Sequence, residues 1–332
     1  MHSKKSTQKN NKVNHIKQKN NQTLKKISIG AHVSITPSIL SGLQYIREIG
    51  GNTAQIFLGS NRSASLKSKT TITDEDITDI KNYLTREKIT LIVHSIYLLN
   101  FAYYPPKSQS NYYAHVNLQH DLKYAAKLGA LCVVLHFGFR NRKNKKTIEK
   151  QQALDNMVAN VNYILSKAPK NIKLALETSA GSGSQIGGCL EDIKYVWGGI
   201  DGKYKRSKSV GICIDTAHVF VSGDSDISTV QGMRKYIERF DSLIGVKNIT
   251  NLHINDSRYV AGSRRDEHRG LRYGEIFKSG EGLVALKYLI NYCKKKKIPM
   301  ILETHGAGSP TKDNESQSNY ENEIKLIKSL IY

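Results

Sequence analysis

Cysteine is scarce in this sequence, with 4 residues among 332, and no two of them form a C-x-x-C pair. The four are Cys132, Cys189, Cys213 and Cys293. Their wide spacing and the length of the chain argue against a disulfide framework and against a cysteine-based metal site. Cys132 and Cys213 lie inside short apolar runs. We therefore expect them to be buried thiols in a reducing compartment.

Long hydrophobic runs are also missing. The longest plainly apolar run, Ala130 to Leu135, is far shorter than the roughly 20 residues that a membrane-spanning helix needs. The N-terminus lacks the apolar segment of a secretory signal. These absences predict a soluble protein with no membrane partner. It would be intracellular, in the cytoplasm or nucleus, or in a viral factory or virion if the chain is viral.

Acidic residues are few, because 28 Asp and Glu stand against 50 Lys and Arg, for a formal net charge of +22. A surplus of this size indicates a polyanionic partner, usually nucleic acid, although solubility alone is the alternative. Residues 1–26 hold eight lysines, no acid and almost nothing apolar. We predict that they form a disordered tail, either a DNA-tethering arm or a segment without a role. Residues 27–332 are predicted to form one domain.

From Ile27 onward, short β-branched apolar runs alternate with longer segments of helical periodicity, such as 73–88 and 147–165. The eight apolar runs are 27–33, 52–58, 89–95, 130–137, 172–177, 210–215, 248–255 and 298–304. Eight strands separated by helices predict an α/β fold, the (β/α)8 TIM barrel. A doubly wound open sheet is the alternative, but no G-x-G-x-x-G motif follows the first run.

Seven of these runs end in an imidazole or a carboxylate, and only the second does not. The residues are His32, His94, His136, Glu177, Asp215, His253 and Glu303. In a (β/α)8 barrel these ends share one face, where active sites lie. So many acids and imidazoles on one rim would be very costly without compensating cations.

Further candidate ligands are His218, three residues after Asp215, and the Asp266-x-His268 pair. The candidate ligands are then His94, His136, Glu177, Asp215, His218, His253, Asp266, His268 and Glu303. Five imidazoles and four carboxylates without a thiolate suit zinc or manganese better than magnesium or calcium. Because a catalytic zinc takes about three protein ligands, the set predicts two or three ions.

These residues lie in motifs that resemble those of the endonuclease IV family of apurinic/apyrimidinic (AP) endonucleases, over nearly all of 27–332. The motifs are GAHVS (30–34), HSIYLLN (94–100), LHFG (135–138), ALETSAGSGSQIG (175–187), GICIDTAHVF (211–220), LHINDS (252–257), GSRRDEH (262–268) and ILET (301–304). The resemblance implies a monomeric (β/α)8 barrel with a trinuclear zinc centre and no organic cofactor. Its partner would be duplex DNA, cut 5′ to abasic sites to leave a 3′-hydroxyl and a 5′-deoxyribose phosphate. Trimming of blocked 3′ ends is implied as well.

The resemblance also implies a role for each residue. His94 and His136 would hold one zinc ion, and the catalytic Glu177 would bridge it to a second. The remaining ligands would be Asp215, His253 and Glu303 for the second ion and His218, Asp266 and His268 for the third. Tyr97, Leu98 and Arg62 match residues that the family inserts into the duplex at the lesion.

The sequence departs from the family at two places. Phe137 replaces the proline that usually follows the ligand histidine. Tyr273 replaces an acid between two glycines, so the resemblance does not determine the conformation of that loop. His32 is expected to support the ligands. The remaining histidines, His115, His120 and His305, are expected to be structural or on the surface.

Two other functions stay open: a sugar isomerase or epimerase of the related barrel type, and a catalytically inactive DNA-binding protein. The nine ligands and the basic charge favour the endonuclease.

Overall fold

The strands form a closed parallel barrel in the computed structural model, which describes residues 27–61, 63, 65–304 and 319–331. The barrel strands are β1 (Ile29–His32), β2 (Thr53–Ile56), β3 (Thr90–His94), β4 (Cys132–His136), β5 (Lys173–Glu177), β6 (Val210–Asp215), β7 (Ile249–His253) and β10 (Met300–Leu302). A separate antiparallel pair consists of β8 (Asp256–Ser257) and β9 (His268–Arg269). Each of the eight barrel strands lies within one of the predicted runs, so the predicted (β/α)8 barrel is confirmed. The predicted tail, residues 1–26, lies outside the described residues.

Helices connect consecutive barrel strands and surround the barrel. They are α1 (Ile39–Glu48), α2 (Asp74–Glu87), α3 (Tyr112–Leu128), α4 (Lys150–Lys167), α5 (Leu190–Gly199), α6 (Gly202–Arg206), α7 (Thr216–Ser222), α8 (Val230–Leu243), α9 (Gly280–Lys296) and α10 (Tyr320–Ser329). The predicted helix at 73–88 is α2. The helix predicted at 147–165 begins at Lys150, so Ile148 precedes it and contacts the core from the connecting segment.

Helix α2 shows how the sequence sets a helix boundary. The Thr73 hydroxyl accepts a hydrogen bond from the Asp76 N–H at 3.0 Å, and the Asp76 carboxylate accepts one from the Thr73 N–H at 2.8 Å. This reciprocal cap satisfies two N–H groups that have no partner in the first turn, where acidic residues also complement the helix dipole. Ile80 and Leu84 then face the core.

Side chains alternate along β6 between the helix layer and the barrel interior. Ile212 and Ile214 pack in the large core between barrel and helices. Cys213 packs inside the barrel. Asp215, two residues further on, continues the inward series and so reaches the carboxyl-terminal mouth. The inner cluster consists of Ile92, Cys132, Val134, Ala175, Cys213 and Ile301.

All four cysteines are free, and Cys132 and Cys213 are buried, as predicted. Among the described helices, none combines the length and the apolar character needed to cross a membrane.

A buried ion pair fastens the segment after β2 to α3. Lys69 Nζ lies 2.7 Å from Asp121 Oδ1, and the two side chains are 3% and 0% exposed. Lys69 also forms a β-bridge with Gly59, so the pair closes the base of the loop between them.

Candidate metal centre

The nine predicted ligand residues lie at the carboxyl-terminal mouth of the barrel or on the loops beside it. Six of them end or directly follow a barrel strand: His94, His136, Glu177, Asp215, His253 and Glu303. His218 lies in α7, and Asp266 and His268 lie next to or in β9. The described structure thus gathers residues from positions 94 to 303 into one region.

The first group comprises His94, His136 and Glu177, whose ligand atoms lie within 4.8 Å of one another. The Nε2 atoms of His94 and His136 lie 3.1 and 3.2 Å from Glu177 Oε2. The other ring nitrogen of His94, Nδ1, lies 2.6 Å from the Ser95 carbonyl oxygen. Donation from Nδ1–H to that carbonyl leaves a lone pair on Nε2, as is usual for metal-binding histidines.

The second group comprises Glu177, Asp215, His253 and Glu303. The Nδ1 atom of His253 lies 2.8 Å from Glu177 Oε1, 3.0 Å from Glu303 Oε2 and 3.8 Å from Asp215 Oδ2. Three carboxylates therefore surround one imidazole. Glu177 contributes one oxygen to this group and the other to the first group.

The third group comprises Asp215, His218 and His268, with Asp266 beside it. Asp215 Oδ1 accepts a hydrogen bond from the His218 N–H and so caps α7, while Asp215 Oδ2 lies 3.5 Å from His268 Nε2. His218 Nε2 lies 3.0 Å from Asp266 Oδ2, and its Nδ1 lies 2.7 Å from the Thr178 carbonyl oxygen. The capping bond accounts for the aspartate at the start of α7, while the His218 ring points to Asp266 and the Thr178 carbonyl oxygen.

The donor chemistry of these groups fits divalent metal ions. The Nε2 atoms of His136 and His268 are buried and hydrogen-bond to no described residue. Each lies 3.2 to 3.5 Å from carboxylate oxygens without hydrogen-bond geometry. Unpaired buried nitrogens beside crowded carboxylates are costly unless a cation lies between them. The nine residues could hold two or three ions, and their roles as ligands stay a prediction.

Charge and burial together set the protonation of this cluster. Burial lowers the pKa of His136 to about 4, although Glu177 opposes the shift, so the ring is neutral near pH 7 and offers a lone pair. Burial alone would raise the pKa of Glu177. The imidazoles of His136 and His253, together with hydrogen bonds from His253 and His94, hold it well below its usual range. An ionised Glu177 and a neutral His136 are the forms that bind zinc. Burial opposes the shift, but neighbouring acidic groups raise the pKa of His218 and His253 well above the usual imidazole value, so these two rings would release a proton on binding an ion.

Comparison with known proteins identifies the family. The family model described as xylose isomerase-like TIM barrel matches residues 43–330. A protein of Acanthamoeba polyphaga mimivirus named endonuclease 4 is 32% identical over 304 residues, which cover 91% of this chain and 92% of that one. The chain belongs to the endonuclease IV family. A Campylobacter concisus protein of the same name is 29% identical over 91% of this chain and 97% of its own.

Solved structures with this fold include members of the family and sugar epimerases. Endonuclease IV from Thermus thermophilus has a TM-score of 0.70 at 21% identity, covering 91% of this chain and 98% of that one. A D-tagatose 3-epimerase-like protein has a TM-score of 0.64 at 18% identity, covering 92% and 97%. At these identities the likeness shows the fold alone.

Of the residues that the family resemblance assigns to DNA, Tyr97 lies beside the first metal group and Leu98 follows it in the chain. Tyr97 and Leu98 are 49% and 57% exposed. The Tyr97 ring centroid lies 5.5 Å from that of His94 and 5.3 Å from that of His136. An exposed aromatic ring beside the candidate ligands, followed by an exposed leucine, suits insertion into a duplex. Arg62 lies outside the described residues, and all three roles stay predictions.

Two buried amides that the sequence did not single out contact the ligands. Gln55 of β2 donates from Nε2 to Glu303 Oε1 at 2.6 Å and accepts at Oε1 from His253 Nε2 at 2.8 Å. Asn255 donates from Nδ2 to Asp215 Oδ2 at 2.7 Å and accepts at Oδ1 from the Glu303 N–H at 2.8 Å. The second strand, which lacks an ionisable residue, therefore contributes an amide to the same mouth.

The other histidines with sequence-based expectations have distinct surroundings. His32 Nδ1 lies 3.0 Å from Gln55 Nε2 and 3.6 Å from Glu303 Oε1, beside the ligands as expected. His115 is buried and bonds to Asn160 Oδ1 through Nε2 at 2.9 Å, which fits its expected structural role. His305 lies outside the described residues.

The loop around Tyr273, where the sequence departs from the family, is hydrogen-bonded to a buried carboxylate. Asp256 accepts hydrogen bonds from the N–H groups of Ser257, Arg272, Ile276 and Phe277. Arg272 has a φ of +76°, in the left-handed region that favours glycine. Tyr273 projects outward and is 57% exposed. The substitution to Tyr273 therefore changes the surface of the loop, while Asp256 fixes its backbone.

Phe137, the other departure from the family, is fully buried. Its ring packs so closely against Gly187 that a Cβ added there would lie 2.5 Å from the ring. Glycine at position 187 thus accommodates the larger side chain.

Proposed function

We propose that this protein is a DNA repair endonuclease that hydrolyses the phosphodiester bond 5′ to abasic sites in duplex DNA. The products would be a 3′-hydroxyl and a 5′-deoxyribose phosphate, and the same site would trim blocked 3′ ends. Three zinc ions would serve as cofactors. Membership of the endonuclease IV family and the named relatives support the proposal.

The observation that carries it is the sharing of carboxylates between adjoining groups. Glu177 belongs to the first and second groups, and Asp215 to the second and third. The assigned ligands are His94, His136 and Glu177 for one ion, Glu177, Asp215, His253 and Glu303 for the next, and His218, Asp266 and His268 for the third. A sugar epimerase would not need three connected groups, nor a chain with a net charge of +22.

The bound ions would supply a reactive hydroxide near neutral pH and stabilise negative charge on phosphoryl oxygens. Glu177 holds the first two groups at a fixed separation because its two oxygens face different imidazoles, His94 and His136 on one side and His253 on the other. We assign it the catalytic role next to the scissile phosphate.

Substrate selection would come from the side chains around the mouth. Tyr97 and Leu98 would enter the stack at the lesion, and Arg62 would assist them. Inserted apolar groups kink DNA by unstacking bases, and the cost is lowest where a base is already missing. The basic surplus would attract the phosphate backbone and make binding sensitive to salt.

The test is incubation with a duplex that carries one tetrahydrofuran abasic analogue, with and without prior removal of zinc by a chelator. We expect zinc-dependent cleavage on the 5′ side of the analogue. Tight binding without cleavage would instead support an inactive DNA-binding protein. Conversion of a ketohexose by the metal-loaded protein, with the DNA left intact, would support an epimerase.

Replacement of the bridging carboxylate, Glu177→Gln, should reduce cleavage by roughly 10²-fold or more, as for other groups that position catalytic charge. The variant should still bind abasic DNA in a gel-shift assay. Glu191→Gln is the matched control, because Glu191 pairs with Arg239 on the surface. Cleavage by the Glu177→Gln variant at the wild-type rate would contradict the proposed bridging role of Glu177.

A further inference from the structure

Gln55 has an unusual set of partners for a buried side chain. It is fully buried in β2. The side-chain partners found for it within the described structure are His32, His253 and Glu303, all at the mouth of the barrel. Most side-chain hydrogen bonds in proteins go to backbone or water. The Gln55 amide thus contacts side chains of the candidate metal centre instead of backbone groups of the barrel strands.

The contacts fix which way the amide points. Glu303 Oε1 lies 2.6 Å from Gln55 Nε2. An ionised carboxylate can only accept hydrogen bonds, so the NH₂ end must face Glu303. The opposite orientation would set the amide oxygen against the carboxylate oxygen. The second proton of the NH₂ group points to His32 Nδ1 at 3.0 Å.

This orientation determines the tautomer of His253. Gln55 Oε1, an acceptor, lies 2.8 Å from His253 Nε2, so Nε2 must carry the hydrogen. The Nδ1 atom of His253 is then the one that faces Glu177, Asp215 and Glu303. His94 and His218 have the reverse arrangement, since their Nδ1 atoms face backbone carbonyls.

We propose that Gln55 is a positioning residue for the second metal group: its amide orients the Glu303 carboxylate and makes His253 present Nδ1 to the ion. The inference rests on the proposed metal sites. Replacement of a residue that hydrogen-bonds to metal ligands, but does not itself bind the ion, lowers metal affinity by about 10–100-fold. Loss of the amide should weaken one ion selectively, because its ligand partners found here are Glu303 and His253 of the second group.

The first experiment measures metal retention. Purified wild-type protein and Gln55→Met, which fills a similar volume without a donor or acceptor, are loaded with zinc and transferred into a chelator. Zinc release is followed with a colorimetric indicator, and bound zinc is counted by elemental analysis. Gln55→Met should release one ion per chain about 10–100-fold faster than wild type. Thr53→Val is the control, because Thr53 is buried two residues earlier in β2 and bonds only weakly to Asn52.

The second experiment measures the wild-type protein and uses a variant only to assign one signal. Long-range ¹H–¹⁵N correlation spectra of zinc-loaded, ¹⁵N-histidine-labelled protein report the tautomer of each imidazole, with His253 assigned by its loss in His253→Asn. We expect hydrogen on Nε2 and metal-shifted Nδ1 for His253, and the reverse for His94 and His218. Hydrogen on Nδ1 of His253 would overturn the inference.

The outcomes separate this inference from the proposed function. Wild-type protein that holds zinc and shows the expected tautomer but leaves abasic DNA intact would end the proposed function and leave the Gln55 role standing. Protein that cuts abasic DNA while Gln55→Met keeps the wild-type release rate would end the Gln55 role alone.

Discussion

Removal of one partner of the buried Lys69–Asp121 pair should destabilise the protein strongly. The two side chains are 3% and 0% exposed, and Lys69 Nζ lies 2.7 Å from Asp121 Oδ1. The other oxygen of Asp121 hydrogen-bonds to no described residue. In Lys69→Met the aspartate therefore keeps its burial and loses its lysine, and its remaining basic neighbour is His120, whose Nδ1 lies 3.5 Å from Oδ1. Breaking such a pair costs about 3–5 kcal/mol.

The double replacement Lys69→Met with Asp121→Leu should recover most of this loss, because an apolar pair of similar size needs no compensating charge. At roughly 2 °C per kcal/mol for a large domain, Lys69→Met should lower Tm by about 6–10 °C. The double variant should unfold within about 2 °C of wild type.

The assay is thermal unfolding followed by circular dichroism at one scan rate and one zinc concentration. Lys325→Met is the control, since Lys325 pairs with Glu321 on the surface of α10, where the side chains are 67% and 46% exposed. Such a pair contributes less than about 0.5 kcal/mol. The reasoning fails if Lys69→Met shifts Tm no more than Lys325→Met, or if the double variant is as unstable as the single one.

Two further predictions concern the metal centre and the loop beside it. Removal of zinc with dipicolinate should lower Tm by about 8 °C for each site that zinc had occupied at roughly 1,000 times its Kd, since binding at that level contributes about 4 kcal/mol per site, and added zinc should restore it. An unchanged Tm would contradict metal binding by the nine candidate ligands. Asp256→Asn should speed tryptic cleavage after Arg272, because the carboxylate accepts hydrogen bonds from three N–H groups of the loop, those of Arg272, Ile276 and Phe277. Glu275→Gln, whose side chain pairs with Lys278 at the surface, is the control and should be cleaved at the wild-type rate.

The fold could be predicted because the strands of a parallel barrel are short, apolar and regularly spaced. The residues at their ends could be predicted as well, since period-two alternation carries inward positions such as Cys213 on to Asp215 at the mouth. The start of α4 could not be predicted so closely. Ile148 continues the apolar spacing of that helix, yet it packs on the core from the connecting segment before Lys150.

The amides around the ligands could not be predicted. Gln55 and Asn255 do not ionise, and an isolated Gln or Asn in an apolar run has no characteristic spacing. Gln55 contacts His253, which lies 198 positions later in the sequence, and Glu303, which lies 248 positions later. Such pairings follow from the barrel register, which places β2 near β7 and β10 across the mouth, and the linear sequence gives no local indication of them.

The last barrel strand to be synthesised, β10, both closes the barrel and positions the last candidate ligand. β10 pairs with β1 on one side and with β7 on the other, and Glu303 follows it directly. A nascent chain that has not yet released β10 from the ribosome would have at most an open seven-stranded sheet with both edges unpaired, and it would hold eight of the nine candidate ligands. Completion of the sheet and arrival of the final carboxylate are then one event, so a truncated product would be both prone to aggregate through its edges and deficient in metal.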